Sequence, residues 1–363
     1  MNAKTYLIDY IKHSSVFLED YFDRKRLEIE KEAKEGKRTK KGRGVVLDML
    51  SRYRKFCQGG KRLRGAQIQL GYELGGGKKK DILGPSTSIE LIHGFLLMHD
   101  DIQDKDVLRR GFPTIHKQYE EWHKTCYSAA DHFHYGLSMG INMGDLGAYF
   151  GTEVLLSGSQ DEKLKTKVAI FFSKILQRVA FGQGLDISYE QQNKVTEKDV
   201  LEVHLQKTSI YTVGGPIAIG AILAGVSKRR IEAILKYGEP IGIAFQLRDD
   251  ELGLFSSEEE LGKPVGSDIR EGKNTILKVK ALEESSGKDR EFLVKSYGNR
   301  GIRPAEVEKV KEITIKTGAF AYSKKLSRKL VKEGKKFIPL ITKDSELQDT
   351  LVSFADFMVE RNS

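Results

Sequence analysis

Apolar residues recur at intervals of three and four along almost the whole chain, the repeat expected of helices that bury one face. Tyr6, Tyr10, Val16 and Phe17 begin such a stripe, which gives way to a strongly charged segment ending near Gly36. The basic stretch from Lys37 to Gly44 predicts a solvated loop. Helices are predicted over 45–56, 61–74, 82–106, 120–135, 142–156 and 161–190. Another covers 197–225, with a kink expected at Pro216 because proline has no N–H to donate. A helix over 228–254 is followed by a polar, glycine-bearing loop over 256–273. Further helices are predicted over 275–284, 289–297 and 304–317, with a last stretch over 318–361 interrupted near Pro339. No alternating strand pattern bounded by hairpin turns occurs, nor any fixed-period repeat. The pattern therefore predicts an all-α chain, one large helical bundle domain over residues 1–363 with a basic loop at about 36–44.

Composition agrees with this picture. A chain of 363 residues can bury a large core, and 39% apolar with 31% charged residues is a globular balance. The formal charge of +10 raises the question of nucleic acid. Much of the excess sits in lysine and arginine runs at 34–43, 78–80 and 324–336, and neither base-stacking aromatics nor zinc-finger spacing accompanies them. The basic surface suits anionic substrates, with membrane contact at most peripheral. Cys57 and Cys126 have neither metal-ligand spacing nor a disulfide framework, which fits a reducing cytoplasm. Residues 1–10 lack the apolar core of a signal peptide. The weakly polar run 213–226 is too short to span a bilayer.

Two segments carry the chemistry. In Leu96-Leu97-Met98-His99-Asp100-Asp101-Ile102-Gln103-Asp104 an apolar helix turns abruptly acidic, and Asp100 and Asp104, four apart, share a face. Grouped carboxylates cost the helix a few tenths of a kcal/mol per pair, which a hard divalent cation relieves. Magnesium takes one or two carboxylates per ion and completes its octahedron with water and phosphate oxygens. The second segment, Phe245 to Gly253, repeats the pattern around Asp249 and Asp250, 149 residues later. Two such clusters could face each other across a bundle cavity. Cations gather nearby in sequence: Arg109-Arg110, Lys61, Arg62 and Arg64 at a predicted helix start where free amides favour anions, and Lys207, Lys263 and Lys273. Magnesium together with many cations suits diphosphate substrates.

These segments resemble the trans-isoprenyl diphosphate synthase family, head-to-tail prenyltransferases that include farnesyl and geranylgeranyl diphosphate synthases. The resemblance runs from Gly59 to about Arg361. It is most specific at Asp100 to Gly111 and at Gln246 to Asp250 continued through Gly262-Lys263-Pro264-Val265-Gly266 and Asp268 to Lys273. Weaker matches are Gly182 to Asp186, Lys207-Thr208 and Thr317-Gly318-Ala319. The resemblance implies an isoprenoid-synthase bundle around a central active-site cavity, a homodimer, and about three magnesium ions with substrate bound. It implies that Lys61, Arg64, His93 and Arg110 bind the diphosphate of isopentenyl diphosphate. Asp100, Asp104 and Asp249 would bind magnesium at the allylic diphosphate (dimethylallyl, geranyl or farnesyl), with Asp101 and Asp250 in support. Arg109, Lys207, Lys263 and Lys273 would serve the allylic diphosphate, and Lys207, Thr208 and Gln246 the reacting centre. Departures exist: Gly253 stands where some members have a third aspartate, and Gly65 follows Arg64 where proline is usual.

The implied reaction ionises the allylic diphosphate, adds the isopentenyl double bond to the cation, and loses a proton to the departed diphosphate. The growing tail needs an apolar tunnel along the first-motif helix. Phe95 lies five residues before Asp100, about 7.5 Å along the axis. In archaeal-type members an aromatic residue there floors the tunnel, and Leu96 lacks the second aromatic associated with fifteen-carbon products. The expected product is geranylgeranyl diphosphate, with farnesyl and twenty-five-carbon products as alternatives. A class I terpene cyclase also uses aspartate-rich helices, but binds one diphosphate and has no need of Lys61, Arg64 and Arg110. A helical HD-type phosphohydrolase would leave the second cluster unexplained. A di-iron bundle would want two Glu-x-x-His elements, where only Glu90 to His93 is seen. A non-catalytic subunit of a heteromeric synthase usually lacks aspartates that stand intact here.

Overall fold

A computed structural model describes residues 2–127, 131–192, 194–256 and 266–360. Its helices are α1 (Ala3–Lys34), α2 (Lys40–Cys57), α3 (Leu63–Glu73), α4 (Lys79–Gln103), α5 (Ile115–Cys126), α6 (His132–Leu156) and α7 (Glu162–Glu190). Next come α8 (Glu197–Val203), a π-helix π1 (His204–Gly214), α9 (Gly215–Leu223) and α10 (Lys228–Phe255). The last are α11 (Ser267–Glu271), α12 (Ile276–Glu284), α13 (Gly287–Ser296), α14 (Pro304–Lys316), α15 (Ala319–Lys335), α16 (Ile338–Ile341) and α17 (Ser345–Glu360). The all-α expectation holds. No helix among the described residues is long and apolar enough to cross a membrane.

The chain forms two compact units. The first comprises Thr5–Gln69 and Gly77–Asp161, and the second Met1–Lys4, Leu70–Gly76 and Glu162–Ser363. In the first unit Leu18, Phe22, Tyr53, Leu91, Met143 and Phe150 belong to one buried cluster. The rings of Tyr53 and Phe150 meet edge to face at 5.6 Å, a contact worth about 1 kcal/mol beyond the area it buries. Glycines of α6 decide how α2 and α4 pack. A Cβ on Gly147 would stand 1.8 Å from Tyr53 Oη, one on Gly151 2.3 Å from Ile92 Cγ1, and one on Gly144 2.4 Å from the His99 ring. This ladder lets α4, which carries the first aspartates, lie directly against α6. Tyr53 completes the joint by donating to the Leu91 carbonyl at 2.7 Å.

In the second unit the same device joins α10 to π1. A Cβ on Gly238 would fall 2.2 Å from Gly214 Cα, and one on Gly242 2.4 Å from the Ser209 carbonyl oxygen. A second core gathers Leu254, Ile269, Leu277, Leu293, Val310 and Ile313 below the end of α10.

Four local expectations are corrected. The stretch expected as a loop over 37–44 becomes helical at Lys40, because the Thr39 side chain accepts from the Gly42 N–H at 3.0 Å and caps α2. The helix expected over 120–135 ends at Cys126, and Asp131 starts a new one by accepting from the His134 N–H at 2.9 Å. Two residues on either side of Arg110-Gly111 pair as a minimal hairpin, Leu108 with Pro113 and Arg109 with Phe112. Arg110 (φ 54°) and Gly111 (φ 77°) give the turn positive φ at both central positions, as a tight hairpin requires. Finally, the expected kink at Pro216 is a change of helix type. Gly215 N–H still donates five residues back, to Ile210 O, and α9 continues beyond with Pro216 in its first turn.

Candidate active site

The first aspartate motif closes α4. Asp104 caps the helix, its N–H donating to Asp100 O at 2.8 Å, so the carboxylates crowd the negative end of the helix dipole. That placement is unfavourable without a cation. Arg109, brought back by the hairpin, supplies one. Its Nε donates to Asp101 Oδ1 at 2.6 Å, and its Nη2 lies 3.6 Å from Asp100 and 3.4 Å from Asp106. Burial nevertheless pushes the Asp101 carboxyl up to about 7, with Arg109 opposing the shift. Asp101 Oδ2 is buried and has no hydrogen-bond partner among the described residues.

These features fit a further cation. Among the described residues no three carboxylate, imidazole or thiol groups converge as a ready-made metal cage. Magnesium needs none, since phosphate oxygens and water fill most of its shell. Asp100 and Asp104, one turn apart, offer acceptor-only oxygens of the right hardness, and Asp101 carries the orphaned one.

A cation nest lies in the same unit. Arg64, in the first turn of α3, has Nη1 3.2 Å from His93 Nε2 on α4. Burial and the charges of Arg64, Arg110 and Arg109 hold the His93 imidazolium well below its ordinary pKa. The Arg110 guanidinium lies over Gly59 and Gly60; a Cβ on Gly60 would come 2.9 Å from its Nη2. Glu90 is half-buried beside these arginines and accepts the Gly65 N–H at 2.9 Å. This bond explains the unusual Gly65. Proline would have no N–H to give, and even a Cβ there would stand 2.1 Å from Tyr10 Oη. Lys61 lies two residues before the start of α3. Of the three cations expected at this helix start, Arg62 is turned inward. It is 5% exposed, has φ 48°, and donates to Ser14 Oγ at 2.9 Å and Cys57 O at 3.3 Å. Phe95 and Leu96 are half-buried on α4, and the Phe95 ring meets His99 edge-on at 4.9 Å.

The second unit organises the other motif around π1. Thr208 Oγ1 donates to Gln246 Oε1 at 2.8 Å, and Gln246 Nε2 donates to Asp250 Oδ1 at 2.8 Å. His204 Nε2 lies 3.3 Å from Asp250 Oδ2. Burial raises the Asp250 pKa, with His204 and Gln246 opposing. Asp249, its neighbour, is half-buried. Lys207 Nζ is 2.8 Å and Lys273 Nζ 3.4 Å from Asp186 Oδ2, and Lys273 also reaches Glu190 at 2.7 Å. Burial pushes the Asp186 carboxyl up, but the two lysines more than offset it and hold it below its ordinary value. Lys263 lies outside the described residues.

Sequence reading passed over His204, Asp186 and Asp268 as members of this site. The spacing of His204 to Lys207-Thr208, one helical turn, was a usable signal for the first. Asp268 declares itself through Gly253: a Cβ there would stand 2.7 Å from Asp268 Oδ2, so a carboxylate from α11 occupies the space beside the position of the missing third aspartate. The segment Gly182 to Asp186 serves both packing and site. A Cβ on Gly182 would lie 2.3 Å from Lys207 N, while Asp186 holds the lysines.

Comparison with known proteins agrees with this geometry. Residues 48–314 match the model of the polyprenyl synthetase family. The chain is 36% identical to the short chain isoprenyl diphosphate synthase of Methanothermobacter thermautotrophicus, over 84% of this chain and 87% of that protein. It is 31% identical to the geranylgeranyl diphosphate synthase of Sulfolobus acidocaldarius, over 85% of this chain and 89% of the relative. The crystal structure of geranylgeranyl pyrophosphate synthase from Corynebacterium glutamicum, complexed with isoprenyl diphosphate and magnesium, superposes with a TM-score of 0.89 at 29% identity, covering 97% of this chain and 98% of that one. The chain therefore belongs to the polyprenyl synthetase family and is a prenyltransferase of the trans-isoprenyl diphosphate synthase type.

Proposed function

We propose that this enzyme condenses isopentenyl diphosphate with dimethylallyl, geranyl and farnesyl diphosphates, ending at geranylgeranyl diphosphate. The observation that carries the reading is the nest of Arg64, His93 and Arg110, in which Arg64 Nη1 lies 3.2 Å from His93 Nε2, and burial, reinforced by the arginine charges, keeps the imidazole neutral. A cyclase acting on one diphosphate has no use for it. With Lys61 it is the place for isopentenyl diphosphate, a substrate that needs no metal there.

The allylic diphosphate goes to Asp100, Asp104 and Asp249 through magnesium, about three ions with substrate bound, with Asp101 and Asp250 in support. When bound, magnesium neutralises charge on the leaving diphosphate. Arg109, Lys207, Lys263 and Lys273 add direct cationic contacts there, worth most when water is excluded. Arg109 is kept charged by its acidic neighbours in spite of burial. Thr208 is fixed by Gln246, and Gln246 by Asp250, so Thr208 and Lys207 are presented to the allylic carbon on a stiff segment. Phe95 floors the tunnel that limits the tail, with Leu96 beside it. The enzyme works in the cytoplasm as a homodimer. Ile141, Tyr149 and Leu156, which are 48%, 72% and 40% exposed along α6, are the apolar residues a second copy would cover.

The test is incubation of purified protein with labelled isopentenyl diphosphate and each allylic starter, with and without magnesium, followed by chromatography of the products. Magnesium-dependent formation of a twenty-carbon diphosphate is expected. Cyclised hydrocarbon, or no incorporation of the isopentenyl label, would end the reading.

A further inference from the structure

We propose that a cleft between α10, α15 and α17 in the second unit binds a small multivalent phosphate anion, of which inorganic diphosphate is the simplest. The cavity measures about 450 Å³, within the range of small-molecule sites. Its floor is Arg248 and Glu251 of α10, and its long wall is the face of α15 bearing Lys324, Arg328 and Lys332.

The wall is unusual in charge. Over its 17 residues α15 carries six cations (Lys324, Lys325, Arg328, Lys329, Lys332 and Lys335) against the single acid Glu333, a net +5. The whole chain totals +10. Lys324, Arg328 and Lys332 follow one another at four-residue steps, an arrangement that costs a bare helix a few tenths of a kcal/mol per pair. Much of the neighbouring charge is neutralised. Arg248 pairs with Glu251 at 3.1 Å, Ser323 donates to the same carboxylate at 2.8 Å, and Lys335 pairs with Asp356. Lys324 lies over the Phe320 ring at 4.2 Å. Arg328 and Lys332 have no acidic partner among the described residues. Two unneutralised cations and a shielded lysine on one wall of a concavity are what a compact anion would complete.

The opposite wall selects its size. Asp356, already engaged by Lys335, and Glu360 of α17 line it, and the Glu360 carboxylate would repel an extended polyanion or an anionic lipid surface laid across the opening. A compact anion on the α15 side avoids them. The position couples it to the chemistry, because Arg248 immediately precedes Asp249 on α10. An anion that draws Arg248 from Glu251 acts on the helix presenting the second motif. Each condensation releases one diphosphate, so the site would report accumulated co-product; only this choice of anion rests on the proposed reaction.

The experiment is calorimetric titration of the full-length protein, magnesium absent, with inorganic diphosphate. An Arg64→Ala/Arg110→Ala background removes binding at the proposed isopentenyl site. In that background, Arg328→Gln/Lys332→Gln is expected to weaken the remaining binding at least about tenfold. Lys324→Gln, a milder change, should weaken it less, and thermal melting verifies that each variant is folded. With Arg64 and Arg110 intact, Arg328→Gln/Lys332→Gln should leave initial turnover unchanged while inhibition by added diphosphate diminishes. Geranylgeranyl diphosphate and anionic phospholipid vesicles form two further arms: binding of the first, lost in the same variants, would assign the site to a prenyl headgroup within the same chemistry. Equal diphosphate affinity with and without the two cations, or binding of vesicles alone, overturns the proposal. An enzyme that lacks the proposed condensation but shows this binding would refute the function and leave the cleft standing.

Discussion

Gly182→Ala offers the most direct test of how the second motif is positioned. The added Cβ would stand 2.3 Å from Lys207 N, 2.6 Å from Lys207 Cα and 2.7 Å from Gln206 C. Carbon contacts are comfortable near 3.5–4 Å, so π1 must retreat from α7 by about 1 Å. The atoms it meets are backbone and cannot swing aside. Overpacking of this kind costs about 1–3 kcal/mol, and the better helix propensity of alanine returns about 1 kcal/mol. A net loss of up to about 2 kcal/mol is expected from urea denaturation. Activity should suffer more, because a 1 Å misplacement of reacting groups can cost about a hundredfold. Gly184→Ala, two residues along the same helix, is the control. Nothing lies within 4 Å of its Cβ, so it should stabilise by up to about 1 kcal/mol and keep normal turnover. Should the two variants share the same midpoint and the same kcat, the close packing of α7 on π1 would not be what sets Lys207.

Four other outcomes are expected. Asp186→Asn strips Lys207 and Lys273 of a shared carboxylate and should lower stability near neutral pH; because the native pKa is lowered, wild type alone loses the ionisation-linked part of that stability as pH falls below about 3.8, which acid titration of both proteins reads directly. Lys278 donates to Gly272 O and Asn274 Oδ1, each at 2.8 Å, and burial lowers its pKa from 10.5 to about 8. Between those values the unfolded chain holds more protons, so wild-type stability should rise with pH by up to about 1.4 kcal/mol per unit relative to Lys278→Met, and parallel curves would contradict this. Gly65→Ala should lose about 1–3 kcal/mol through contact with Tyr10 Oη, and Tyr10→Phe in that background should recover part of it in a double-mutant cycle. Phe95→Ala should lengthen the product, and an unchanged chromatogram would remove Phe95 from the tunnel floor.

Sequence reading reached the helical class, the two aspartate pairs and most of their cations because those signals are local. Period and acidic spacing survive without knowledge of partners. What it missed depends on contacts across elements. Arg62 reads as a third cation at a helix start, yet a left-handed φ turns it onto Ser14. Pro216 announces an irregularity but not its kind, since a π-helix arises from how π1 packs on α7 and α10. The break after Cys126 was hidden by apolar periodicity that continues across it, and only the Asp131 cap gives the new start away. Gly65 looked like a loss of proline, and its purpose emerges only with Glu90 and Tyr10 alongside.

The wide helical segment His204–Gly214 has a consequence for how the chain can change length. Removing one residue there would let it tighten into α form. A second deletion would find no such slack, and every side chain beyond it would rotate by about 100° about the axis. Residues 215–221 of α9 are all buried, so such a rotation has no exposed side to spare. Loops elsewhere can absorb an insertion or a deletion; this stretch is a ruler with a single residue to give.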